Sequence, residues 1–84
     1  MPRIPAREVR KGLHPSEVVV EVTTADGAVE RLIIDSESFH NATIGVGYPL
    51  AREAGRVLVE LPRETTSGLW RIWVAQQELE GIAA

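Results

Sequence analysis

Polar and apolar residues alternate along residues 17–24, a segment rich in β-branched side chains. Alternation of this kind is typical of a half-buried strand. The Ala-Asp-Gly triplet at 25–27 suits a three-residue hairpin loop, with glycine in the left-handed position. Closing the loop in that way pairs Glu21 with Arg31 across the strands. The buried face is then predicted to hold Val18, Val20, Leu32 and Ile34.

The same alternation returns near the end of the chain, where it predicts a second hairpin from residues 56–62 and 69–75. Opposing Leu61 to Trp70 places Glu60 opposite Arg71, which is again a cross-strand ion pair. Six apolar side chains are predicted to face the core from this hairpin: Val57, Val59, Leu61, Trp70, Ile72 and Val74.

The segment between the hairpins is less regular. Residues 35–43 are a polar connection in which we expect Phe39 to be the anchor. Residues 44–51 alternate bulky and small side chains and are predicted to form a strand, with Gly45 and Gly47 marking a bend or a close approach. The Ala54-Gly55 pair would turn this strand into the last hairpin. A competing interpretation makes residues 49–54 a short helix that ends at Gly55.

These elements predict a mostly-β single small domain of about five antiparallel strands in meander order. The expected architecture is an SH3-like or OB-like partly open barrel, or a curled sheet that a second copy completes. We divide the chain into a basic N-terminal arm (1–16), a β-domain (17–76) and a short C-terminal tail (77–84). Residues 6–13 of the arm could form one or two helical turns before Pro15.

Residues 41–47, Asn-Ala-Thr-Ile-Gly-Val-Gly, resemble a strand entry in the plasmid-encoded type II dihydrofolate reductases, which are SH3-like barrels. The resemblance covers seven residues. The Val-Gln-Ile-Tyr motif that lines that family's active site has no counterpart in this sequence. The resemblance therefore implies no activity and no site residue here.

Composition narrows the class of protein. The chain has 84 residues, 44% of them hydrophobic and 25% charged, which is ordinary for a globular domain. The absence of cysteine excludes disulfides and thiolate metal sites. Apolar runs reach only four residues, so we expect no membrane span and a cytoplasmic protein.

Charge is distributed unevenly. Residues 1–16 have a net charge of +3 from Arg3, Arg7, Arg10 and Lys11 against one glutamate, whereas the remainder has a net charge of −6. Such a split predicts that the arm docks on an acidic surface, either of this domain or of a neighbouring copy. The alternative is nucleic-acid binding through these four residues and an edge formed by Arg52, Arg56 and Arg63.

Candidate catalytic groups are few. An enzyme hypothesis would place a site around Asp35, Glu37, His40 and Tyr48, since a carboxylate beside histidine can act in acid–base chemistry. No phosphate loop, metalloprotease motif or nucleophile elbow is present in the sequence. We therefore expect a solvated loop in which Asp35 or Ser36 caps a turn, and no catalytic residue, metal or cofactor.

The outer face of the last hairpin is unusually apolar for a sheet that would face water. A patch of this kind usually marks an interface, and tryptophan and arginine are enriched at binding hot spots. The alternative is that Ile4, Val9 and Leu13, or Leu79 and Ile82, fold over it. Our leading hypothesis is a non-enzymatic interaction or assembly module that binds itself or a partner protein. The interface candidates are Trp73, Leu58, Leu69, Arg71, Val19 and Ile33.

Overall fold

The computed structural model describes residues 1–81. In that part, nine short strands form three three-stranded antiparallel sheets, ordered β1-β6-β5, β2-β3-β4 and β7-β8-β9. Single 3₁₀ turns occupy Ser36–Ser38 and Gln76–Glu78. None of its helices is long and apolar enough to cross a bilayer. The strands are β1 (Arg3–Pro5), β2 (Arg7–Lys11), β3 (Glu17–Thr23), β4 (Val29–Asp35), β5 (Phe39–His40), β6 (Thr43–Gly45), β7 (Ala51–Glu53), β8 (Arg56–Glu60) and β9 (Arg71–Ala75).

The first hairpin, β3–β4, confirms the predicted register at every pair from Val18–Ile34 to Val22–Glu30. Gly27 takes a φ of 88° in the loop, which glycine adopts without steric cost. Glu21 and Arg31 form the expected ion pair at 2.7 Å. The four residues predicted for the inner face of this hairpin are all buried.

The last hairpin, β8–β9, also has the predicted register, with Val57 opposite Val74 and Glu60 opposite Arg71. Five of its six predicted inward side chains are buried in the core. The prediction for Trp70 is wrong, because this residue lies just before β9, at the loop end of the hairpin, and is 53% exposed. The turn at Ala54-Gly55 is confirmed, since Glu53 pairs directly with Arg56.

The N-terminal segment is extended, so the helix considered for residues 6–13 is wrong. β2 pairs with β3, and β1 pairs with β6 far along the chain. A bulge lies between Glu8 and Arg10 in β2. An unpaired edge of β3 would leave its backbone groups without ladder partners, and β2 satisfies much of that edge. Residues 1–16 thus contribute strands to two of the sheets.

Residues 46–50 lie between strands, so the single strand predicted over residues 44–51 is wrong, and so is the competing helix over residues 49–54. The chain changes partners here. The Val46 N–H donates to the Pro2 carbonyl beside β1, and the Gly47 N–H donates to the Glu60 carbonyl of β8. Because these neighbouring N–H groups donate to different parts of the fold, no continuous ladder forms before β7.

One apolar core joins the three sheets, with Phe39 and Leu79 packed partly against it. The predicted anchoring by Phe39 is therefore confirmed. The predicted five-strand meander is wrong, because the sheet β1-β6-β5 joins strands from distant parts of the chain. No closed barrel is found within residues 1–81, and the SH3-like or OB-like architecture is not confirmed. The fold prediction is confirmed only in that the protein is a small, compact and mostly-β domain. The buried core consists of Ile4, Ala6, Val18, Val20, Val22, Leu32, Ile34, Ile44, Val46, Val57, Val59, Leu61, Ile72 and Val74.

Candidate interaction surface

The outer face of β7–β9 contains a row of three apolar residues, one from each strand. Ala51 is opposite Leu58, and Leu58 is opposite Trp73. The two large side chains are half-buried, so each keeps part of its apolar surface in contact with solvent. We call Ala51, Leu58 and Trp73 the Trp73 row. It contains two of the residues that the sequence indicated as an interface.

Arg56 covers part of this row. Its guanidinium carbon lies 4.5 Å from the centre of the Trp73 ring, a cation–π contact, while Nη2 donates to Glu53 Oε1 at 3.2 Å. The interface candidates did not include this residue. The predicted register could have indicated Arg56, because it places this residue opposite Ala75 and therefore next to Trp73 on the same face.

A second ion pair lies on the opposite side of the row from Glu53 and Arg56. Arg71 Nε donates to Glu60 Oε2 at 3.4 Å, as the cross-strand pairing predicted. Leu69, at the end of the connecting loop, remains 42% exposed. The two ion pairs on this sheet, Glu53–Arg56 and Glu60–Arg71, are each neutral. Asp26 and Glu30 of the first hairpin also line the hollow beside Trp73, so the face is apolar at its centre and acidic along the edge next to that hairpin.

The two candidates on the first hairpin are less accessible. Val19 is only 2% exposed, and Ile33 is half-buried. The β2–β3 register places Arg10 directly beside Val19. Val19 therefore has almost no surface to offer a partner in this conformation, and the accessible apolar surface among the candidates lies mainly around the Trp73 row.

Three of the residues that we considered as cover for this face lie elsewhere. Ile4 belongs to the core, Leu79 packs against the same core, and Leu13 is 95% exposed. Ile82 lies outside the described residues. The Trp73 row is thus left without apolar cover from Ile4, Leu13 or Leu79.

Two of the four basic candidates are engaged with the domain itself. The Arg3 guanidinium donates to Thr43 Oγ1 at 2.7 Å and to the Ser38 and Thr43 carbonyls. Arg7 forms an ion pair with Glu21, so this part of the basic segment docks on an acidic group of its own body, as expected. Arg10 and Lys11 are exposed and form no ion pair within residues 1–81.

Glu21 is the acidic centre of this cluster. Hydrogen bonds from Arg31, and then from Arg7, lower the pKa of its carboxyl group. The two guanidiniums approach from the strands on either side of β3, because Arg7, Glu21 and Arg31 occupy one row of the β2-β3-β4 sheet. This cluster joins three strands on the solvent side of the sheet.

The four residues of the enzyme hypothesis, Asp35, Glu37, His40 and Tyr48, are all exposed. Asp35 accepts a hydrogen bond from the Glu37 N–H at 2.9 Å and caps the first 3₁₀ turn, which confirms the capping prediction. Within residues 1–81, no three histidine or carboxylate side chains are close enough together to hold a metal ion.

A groove of about 540 Å³ opens on another part of the molecule, between β1 and β2, the end of β3 and the edge of β9. Its floor is apolar, and Arg7, Glu21 and Glu78 lie along its rim. None of the interface or catalytic candidates lines it. Of all the sequence-predicted candidates, it includes only Arg7 from the nucleic-acid alternative.

No protein-family model, curated protein or solved structure matches this chain. The fold and the surfaces described above are therefore the basis for any functional assignment.

Proposed function

We propose that this domain is a non-enzymatic assembly module that binds a second copy of itself through the outer face of β7–β9. The observation that carries the proposal is the Trp73 row, three apolar residues aligned across a solvent-facing sheet with an arginine stacked on the tryptophan. Tryptophan and arginine at the centre of a patch are the side chains that most often dominate binding energy.

The two ion pairs that flank the row favour a second copy as the partner. One acid–base pair, Glu53–Arg56, lies on one side of the row and another, Glu60–Arg71, lies on the other. A two-fold axis along the row would bring Arg56 of one copy close to Glu60 of the next, because both residues belong to β8 and lie on opposite sides of the row. Two-fold interfaces require such a self-complementary patch.

Trp73→Ala tests this proposal, and the second tryptophan provides a matched control. Trp70 is also exposed, but its side chain lies outside the row. Removing a hot-spot side chain costs about 2 kcal/mol or more of association free energy, which is roughly a 30-fold weaker dimer. Trp70→Ala should change the dimer dissociation constant by less than about threefold, as expected outside a hot spot.

The measurement is sedimentation velocity over a range of protein concentrations, at low and at high salt. We expect a dimer that persists in high salt, because its centre is apolar and only its rim is charged. A monomer at every concentration would refute self-association. A dimer that both tryptophan variants weaken equally would refute the assignment to the Trp73 row.

A further inference from the structure

Two strand edges face the groove described above. The β2–β3 ladder ends at the Arg7–Glu21 pair, so Thr23 has no ladder partner on that side within the described residues. Across the groove, β9 is the last strand of its sheet and pairs only with β8. Strand edges with free N–H and C=O groups are templates for pairing with another strand.

The backbone hydrogen bonds show which way each edge points. The Leu61 N–H donates to the Trp70 carbonyl, and the Gln76 N–H donates to the Gly55 carbonyl. The backbone N–H and C=O groups of the even-numbered residues of β9 therefore point toward β8. The Trp73 carbonyl accepts instead from Ala25, on the opposite side. Because backbone direction alternates along a strand, the Ala75 N–H also points away from β8, whereas the Ala75 C=O begins the second 3₁₀ turn, of which Ala75 is the N-cap.

The same reasoning applies to β3. The Thr24 N–H donates to the Ala28 carbonyl within the first hairpin, at 2.8 Å. The backbone groups of Thr23 and Ala25 therefore point away from β4. The Ala25 N–H donates to the Trp73 carbonyl of β9 at 2.8 Å. The two edges meet at that bond and separate beyond it, where Thr23 and Ala75 both line the groove.

We propose that this groove binds an extended peptide segment of a partner protein, which adds as a β-strand between β3 and β9. The site lies apart from the Trp73 row and does not depend on the proposed self-association. An extended backbone matches facing strand edges because its N–H and C=O groups alternate in direction, as in other complexes formed by strand addition. The groove volume of about 540 Å³ is in the range of established ligand sites, about 300–1,000 Å³.

The lining indicates the side chains of that peptide. Ile4, Ala6 and Val74 line the groove and are buried, so the inward side chains of the peptide should be small and apolar. The Arg7 side chain at the rim is 75% exposed, and its partner Glu21 also holds Arg31 at 2.7 Å. An acidic peptide residue can thus recruit the exposed Arg7 guanidinium from Glu21, which keeps the guanidinium of Arg31.

Ala75→Pro removes one hydrogen-bond donor from the groove and retains the local backbone conformation. Ala75 has a φ of −62°, close to the value at which proline is fixed, and its N–H does not face β8. Ala75→Ser retains the N–H and is the matched control. We expect Ala75→Pro to weaken peptide binding at least tenfold, and Ala75→Ser to change it by less than threefold.

The probe is a panel of acetylated, amidated hexapeptides that alternate valine or alanine with threonine and carry one glutamate at either end. Binding is followed by amide chemical shifts and by hydrogen exchange of the intact chain. We expect the Thr23 and Ala75 amides to shift and to exchange at least tenfold more slowly with bound peptide. A version of the best peptide with N-methyl groups on alternate amides should lose that binding.

Several results would overturn the proposal. These are no binding by any member of the panel at millimolar concentration, equal binding by the N-methylated peptide, or full binding by a folded Ala75→Pro variant. If that variant fails to fold, the N-methylated peptide decides the question with the unaltered protein. Loss of self-association in Ala75→Pro, without competition by any peptide, would assign the groove to a second copy instead. Trp73→Ala should leave peptide binding unchanged, which separates this test from that of the proposed function.

Discussion

The β7–β8 turn contains a residue that can be improved. Its two central residues, Ala54 and Gly55, have φ values of 49° and 79°, so both lie in the left-handed region. Glycine adopts this region freely, whereas alanine pays a steric cost of about 1–2 kcal/mol. Asparagine tolerates it better, and Asn-Gly is the preferred pair for a two-residue turn of this type. We therefore predict that Ala54→Asn stabilises the domain.

The size of the effect follows from the position of the residue. Ala54 is exposed, so replacing its methyl group removes no core packing. If asparagine relieves about half of the strain, the free energy of unfolding rises by about 0.5–1 kcal/mol, which corresponds to about 2–8 °C in Tm for a domain of this size. Ala54→Gly relieves the whole strain but gives the unfolded chain about 0.4–1 kcal/mol of additional conformational entropy, so its net gain should be of similar size.

The assay is thermal and urea unfolding, followed by circular dichroism. Ala25→Asn is the matched control, because Ala25 is an exposed alanine in the other hairpin turn and does not have a positive φ. The control should change Tm by less than about 2 °C, the small effect expected of a surface substitution. If Ala54→Asn fails to raise Tm, or if Ala25→Asn raises it equally, the strain argument is refuted.

Two further predictions concern an ion pair and the core. The Glu21 carboxyl has a pKa lowered from 4.5 in the folded state by its arginine partners, so its stabilising contribution is present above about pH 4.5 and is lost as pH falls through the folded pKa. The difference in unfolding free energy between wild type and Glu21→Gln should thus shrink between pH 7 and pH 3 in urea titrations, and a constant difference would contradict the ion-pair assignment. Leu32 is fully buried, and Leu32→Ala should cost about 2–5 kcal/mol in the same titrations. Leu13→Ala, at a position 95% exposed, should cost under about 0.5 kcal/mol, and equal losses would refute the assignment of the core.

The hairpins and the Trp73 row were within reach of sequence reasoning. The Ala-Asp-Gly turn places β3 and β4 close together in sequence, and the Glu21–Arg31 ion pair agrees with the resulting register. In β8–β9, opposing Leu61 to Trp70 likewise pairs Glu60 with Arg71. Once the register of β8–β9 is known, the outer positions of Leu58 and Trp73 follow from the alternation of side chains. The stacking of Arg56 on Trp73 follows from the same register once the diagonal neighbours on the outer face are considered.

The N-terminal strands and the groove were beyond that reasoning. β1 pairs with β6 across about 40 residues, and β2 joins an edge of β3 that sequence spacing does not specify. Proline and mixed charge in residues 1–16 are compatible with an arm as well as with edge strands. The approach of β9 to β3 at the Trp73 carbonyl depends on how the three sheets pack on one core.

The sequence by itself determined the local elements of this protein. Turn residues and alternation of period two act over about a dozen residues, and in each hairpin one register gathers the core side chains on a single face while pairing opposite charges. Only the tertiary structure decided which distant strand completes each sheet and where two edges are left facing each other. Those choices depend on the shape of the shared core, to which residues throughout the chain contribute at once.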